Sequence, residues 1–157
     1  MTQYHNFIGI DIGKFSFVVA QHGSNKTNEY QNDNAGIKEF LRSYKNNLKQ
    51  ALVVLETTGG HEMKLLLTLC SKGFAVHRAD TRKVKNFIRS YGNDAKTDKL
   101  DAKALALYGF ERHLRLKLFD VPSKKSMELF ELTSRRNDLK QMLVAEKNRS
   151  KSPRNKF

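Results

Sequence analysis

This chain of 157 residues predicts an α/β fold built on a mixed sheet. Two β-rich runs divided only by Gly13-Lys14 open it, a continuous apolar run follows at 51–55, and helical patterns then alternate with strands. Phe7-Ile8-Gly9-Ile10-Asp11-Ile12 and Phe15 to Gln21 read as a tight hairpin, with the polar cluster His22 to Thr27 turning into an edge strand at Asn28 to Gln31. Asn34 is placed to cap a helix, because Ile37, Phe40, Leu41 and Tyr44 recur at helical spacing behind it. Ala51-Leu52-Val53-Val54-Leu55 has the composition of a strand covered on both faces, and it ends on Glu56. Thr57-Thr58-Gly59-Gly60 breaks it, His61 to Lys72 reads as a helix closed by Gly73, and Phe74 to His77 reads as the next strand.

The remainder is helical. Asp80 to Tyr91 carries Val84, Phe87, Ile88 and Tyr91 on one side and Arg82, Lys83, Lys85 and Arg89 on the other, with Asp80 as its cap. After Gly92-Asn93-Asp94, Thr97 caps a helix to about His113 whose apolar face is expected at Leu100, Ala104, Leu107 and Tyr108. Pro122 introduces a charged helix from Ser126 to about Arg149. There Leu129, Leu132, Leu139 and Leu143 take heptad a and d positions, with Arg136 where another Leu is expected. Two heptads do not hold a coiled coil alone, so this helix calls for a second copy as partner. The basic stretch 150–157 is expected to be a disordered tail.

Charge narrows the class of partner. Lys and Arg number 29 against 16 Asp and Glu, a formal net charge of +13. Residues 1–60 hold 6 basic and 5 acidic side chains and residues 61–157 hold 23 and 11, so the surplus belongs to the later part. A polyanion, nucleic acid first, is the implied partner. The lone Cys70 lies in an apolar run and reads as a structural thiol. No stretch is long enough for a membrane span and residues 1–7 lack a signal-peptide core, so the expected location is cytoplasmic.

Four carboxylates, at two strands and one helix start, point to chemistry. Asp11 interrupts an apolar strand, where an ionised group is costly unless paired or bound to a cation. Glu56 ends the most apolar strand, and ligand sites of α/β sheets lie beyond the carboxyl ends of strands. Asp98 and Asp101 are three apart on a helix, which sets both on one face with Cβ atoms roughly 5–6 Å apart. Taken singly, each has a plain role as turn former, strand end or helix-dipole partner. Together they would form a four-acid cluster, which needs cations, and hard oxygen ligands select Mg²⁺ or Mn²⁺. Lys14, Lys96 and Lys99 flank the acids and are candidates for holding phosphates, though each also reads as a solvated lysine. His61 follows the Gly pair and Asp80 ends a strand, but a surface helix start and a helix cap are their simpler roles.

The strings Gly9-Ile10-Asp11-Ile12-Gly13-Lys14, Leu55-Glu56-Thr57-Thr58-Gly59 and Lys96-Thr97-Asp98-Lys99-Leu100-Asp101-Ala102 resemble the DEDD transposases of bacterial insertion sequences. This is the family numbered one hundred and ten, which includes the Piv-type DNA invertases. The resemblance covers about residues 5–145. It implies a RuvC-like, ribonuclease-H-like sheet flanked by helices that presents Asp11, Glu56, Asp98 and Asp101 to Mg²⁺ or Mn²⁺, followed by a coiled-coil-type helix. The implied organisation is a catalytic domain at 1–118, the start of the coiled coil at 122–149 and the basic tail at 150–157. The implied activity is cutting and rejoining of DNA, in several members with a structured RNA guiding site choice. Gly13 replaces the family's usual Ser, and the family's C-terminal, Ser-bearing domain is absent from these residues, so complete transposition is expected to need more than this chain. Two other classes compete. Gly-Ile-Asp-Ile-Gly-Lys also resembles the phosphate-contacting opening of actin-like ATPases and sugar kinases, although a second nucleotide loop is missing. The basic half and the Leu-rich helix alone would make a non-catalytic nucleic-acid-binding or dimerisation module.

Overall fold

The computed structural model describes residues 4–92 and 97–152, and the chain divides into two compact units, Met1–Phe119 and Asp120–Phe157. In the first unit, β1 (Asn6–Ile12), β2 (Ser16–Gln21) and β3 (Thr27–Gln31) form an antiparallel meander. On the other side of β1, β4 (Ala51–Glu56) and β5 (Ala75–Ala79) add in parallel, giving the order β3-β2-β1-β4-β5. The parallel pairs need crossovers, supplied by α1 (Asn34–Ser43) with the short α2 (Lys45–Leu48), and by α3 (Met63–Ser71). Then α4 (Thr81–Ser90), α5 (Asp98–Arg112) and a single 3₁₀ turn at His113–Arg115 follow.

Strand alternation sorts the core into two layers. Ile8, Ile10 and Ile12 of β1 and Val53 and Leu55 of β4 pack with Phe40 of α1 and Leu65, Leu66 and Leu69 of α3. Phe7, Leu52 and Val54 face the other way, against Leu105 and Tyr108 of α5 and Val84 and Phe87 of α4. Burial on both faces is why residues 51–55 read as an unbroken apolar run, and each fully buried Leu or Val there contributes about 1.5–3 kcal/mol.

Two local expectations are corrected. The cap of α1 is Asp33 rather than Asn34: Asp33 holds the extended conformation and its carboxylate accepts the Gly36 N–H at 2.8 Å. Asn34 becomes the first helical residue, and Ile37 and Phe40 still turn inward. The buried face of α5 is Ala102, Leu105, Ala106, Tyr108 and Gly109, while Leu100 is 45% exposed. The reason is at Gly9: a Cβ there would lie 2.1 Å from the Ala102 carbonyl oxygen and 2.3 Å from the Ala106 nitrogen. The helix backbone rests directly on β1, and only small residues fit between them.

The second unit carries α6 (Lys124–Ser150), capped by Ser123 through the Ser126 N–H. None of its 27 residues is buried, and Leu129, Leu132, Leu139 and Leu143 are all exposed. Of the expected tail, residues 153–157 lie outside the described residues. Cys70 is half-buried beside the first core layer, and burial pushes its thiol up, away from nucleophilic use. No described helix is long and apolar enough to cross a membrane.

Candidate active site

Asp11 lies one residue from the end of β1, on the same side of the strand as Gly9 and therefore beneath α5. The parallel register pairs Ile10 with Leu55. One step further Asp11 and Glu56 stand on adjacent strands, about 4.8 Å apart at strand spacing, both on the α5 side. The Thr97 hydroxyl accepts the Leu100 N–H and starts α5 there, so Asp98 and Asp101 occupy its first turn. The close seat on Gly9 lets α5 bring that turn toward the strand ends.

The electrostatics report the result. Burial first, then the fields of Asp101, Asp98 and Glu56, push the Asp11 carboxyl from 3.8 up to about 6, against a smaller opposing pull from the Ile12 backbone. Among the described residues neither Asp11 nor Glu56 forms an ion pair with Lys or Arg. Nor do any three His, Cys, Asp or Glu of the described residues close into a ready metal cage. The acids are near enough for Asp98, Asp101 and Glu56 each to raise the Asp11 carboxyl. Four carboxylates with accumulated charge fit a hard divalent cation in donor chemistry.

Of the flanking lysines, Lys14 is exposed at the hairpin tip with its Nζ 5.1 Å from the centre of the Phe15 ring, and Lys99 is exposed on the first turn of α5. Lys96 lies outside the described residues. Asp80 is the cap of α4, accepting the Arg82 and Lys83 N–H groups. His61 is exposed.

Two residues that shape the site escaped the sequence reading. Glu62 is completely buried. One of its oxygens accepts the Thr58 N–H, the Thr58 hydroxyl and the Gly60 N–H at 2.9–3.1 Å, and the other accepts Arg78 Nε at 3.1 Å and Nη2 at 2.5 Å. Burial opposes the charge, yet its own N–H, Arg78 and Thr58 outweigh that and hold the carboxyl below its usual range. The loop that leaves Glu56 is thereby pinned, with Gly59 and Gly60 at φ 69° and 104° in the left-handed region. Asn32 is the second: its N–H donates to Phe15 O at 2.8 Å, and its side-chain amide donates to Gly13 O at 3.0 Å and His61 O at 3.1 Å. It ties the hairpin tip after Asp11 to the loop after Glu56. Neither signal is local in sequence, since Glu62 looks like a solvated helix start until Arg78 arrives from β5.

Among solved structures, T. thermophilus RuvC in complex with a Holliday junction substrate aligns with a TM-score of 0.51 at 14% identity, covering 73% of this chain and 99% of that one. That likeness is one of fold, a RuvC-like, ribonuclease-H-like sheet flanked by helices. The pilin gene-inverting proteins of Moraxella lacunata and Moraxella bovis are each 26% identical over 151 residues, 93% of this chain and 46% of theirs. The chain thus spans about half the length of the curated relatives it matches. A family described as Transposase, the DEDD transposases of the insertion-sequence family numbered one hundred and ten, matches residues 8–152. With its model matched across nearly the whole chain, the chain belongs to that DEDD transposase family.

Proposed function

We propose that the first unit is the metal-dependent DNA-cutting domain of a transposase or site-specific recombinase. The observation that carries this is placement: Asp11 near the end of β1 stands beside Glu56 at the end of β4, on the sheet face covered by α5, whose first turn bears Asp98 and Asp101, and the raised Asp11 carboxyl is consistent with their combined charge. Asp11, Glu56, Asp98 and Asp101 hold Mg²⁺ (or Mn²⁺), which supplies Lewis-acid stabilisation of charge at a phosphodiester. The protein's own part is placement: Gly9 seats α5 over β1, Glu62 fixes the loop behind Glu56, and Asn32 joins the two loops. Lys14 and Lys99, together with Lys96, hold backbone phosphates beside the acids. DNA is the substrate, and a second copy of the chain is the protein partner through α6. The place of action is the cytoplasm, at the nucleoid.

Isothermal titration with Mn²⁺ tests the reading. Binding is expected for the wild-type chain and a loss of at least tenfold for Asp11→Asn and for Asp101→Asn. Nicking of supercoiled DNA in Mg²⁺ or Mn²⁺ is expected to fall at least 100-fold in the same variants while DNA binding persists. Undiminished nicking in Asp98→Ala and Asp101→Ala would sink the assignment. DNA binding with neither metal uptake nor nicking would favour a non-catalytic binding module.

A further inference from the structure

A second basic feature lies away from the acids. Between α4, the C-terminal half of α5 and residues 115–117 runs a groove of about 680 Å³. Lys83, Arg112, Arg115 and Lys117 line it, with Ser90 and Tyr108 adding hydroxyls and no carboxylate among the lining residues. One of its cations, and the backbone that carries two others, are anchored. The Arg112 guanidinium sits 5.7 Å from the centre of the Phe87 ring. The segment bearing Arg115 and Lys117 is fastened to β5 by two bonds: His77 Nδ1–H donates to Lys117 O at 2.7 Å and Phe119 N–H donates to Val76 O at 2.7 Å. Arg112 and Asp101 share α5 and are eleven residues apart, about 16 Å along its axis.

We propose that this groove grips the phosphate backbone of the DNA duplex flanking the cut, about five base pairs from the acids. The proposal rests on the DNA-cutting reading and deepens it by adding a second contact. Four cations lining one groove suit consecutive phosphate oxygens, and the separation along one rigid helix sets the distance between grip and cleavage. Phosphate contacts of this kind contribute affinity and register without sequence preference.

The test is the salt dependence of duplex binding by the full chain, measured by fluorescence anisotropy on a 20-base-pair DNA. Lys83→Ala with Arg115→Ala, both exposed positions, is expected to make the log–log salt slope shallower by about 1.8. Between 50 and 200 mM salt that is about a 12-fold smaller loss of affinity than in the wild type. The control is Lys38→Ala with Lys72→Ala, equal in charge but lining a different groove, on the α1 and α3 side. An equal change in both pairs reduces the groove to a net-charge effect and overturns the proposal. A change confined to an RNA duplex of the same length overturns the DNA assignment. Unchanged slopes alongside normal metal-dependent nicking defeat the groove alone, whereas absence of any wild-type DNA binding defeats both the groove and the DNA-cutting reading.

Discussion

Asp11 shows how a single residue records the competition between folding and function. Its carboxyl titrates near 3.8 in the unfolded chain and at about 6 in the folded one, so the native state holds the proton more tightly. The charge therefore costs stability as pH rises through that window, and the cost is complete above about 6. Asp11→Asn is expected to be more stable than wild type at pH 7.5, by about 1–2 kcal/mol after screening at this partly exposed position, and equal to it below pH 4. Urea unfolding at the two pH values measures this. Mn²⁺ should raise the melting temperature of the wild type and leave that of Asp11→Asn unmoved. Gly9 makes the opposite case: Gly9→Ala forces a Cβ into the Ala102 carbonyl and should destabilise by about 3 kcal/mol, since backbone rather than a flexible side chain blocks it. Asp11, Glu56, Asp98 and Asp101 stand out in sequence as candidates because each violates the apolar pattern around it or repeats at helical spacing. Gly9 was not, because a strand glycine discloses nothing about which helix will lie on it.

At the level of elements, the hairpin and the two parallel strands follow from apolar runs whose periodicity is local, and so they read correctly. The inward face of α5 did not, because a helix rich in Ala and Gly has little amphipathic contrast and the small side chains, not Leu100, meet the sheet. The loop from Thr57 to Gly60 depends on one buried carboxylate fed by β5, a long-range arrangement that no run of residues announces. Removing Glu62 leaves Arg78 partnerless and frees the Thr58 and Gly60 N–H groups. Glu62→Ala should therefore cost about 3–5 kcal/mol in denaturant unfolding, the range for breaking a buried pair. Arg78, whose side chain is 32% exposed, should matter less when changed to Met than Glu62 does. Hydrogen exchange provides the finer measurement: in Glu62→Gln, which keeps the shape, the Thr58 and Gly60 amides should exchange faster while those of β1 stay protected.

For the whole molecule, the positive surplus and the exposed leucines of α6 make opposite demands on salt. Contacts from cationic side chains to phosphates release counterions, so DNA binding weakens as salt rises. The α6 face responds differently. Leu129, Leu132, Leu139 and Leu143 are 50–70% exposed along a helix about 40 Å long, a seam that gains most by meeting its own copy. In a parallel, in-register pair the Arg136 side chains face each other at the one core position between Leu129 and Leu143 without a leucine, and like charges there oppose association. Self-association measured by sedimentation equilibrium should therefore tighten as salt rises from 0.05 to 0.5 M, in the reverse sense to DNA binding. Arg136→Leu should strengthen the pair by about tenfold or more and abolish its salt dependence, because repulsion is replaced by apolar packing worth about 1.5–3 kcal/mol per side chain. Leu132→Glu with Leu139→Glu should leave monomers at every salt concentration. An Arg136→Leu pair no tighter than wild type would mean that the seam is antiparallel or that α6 meets a different surface.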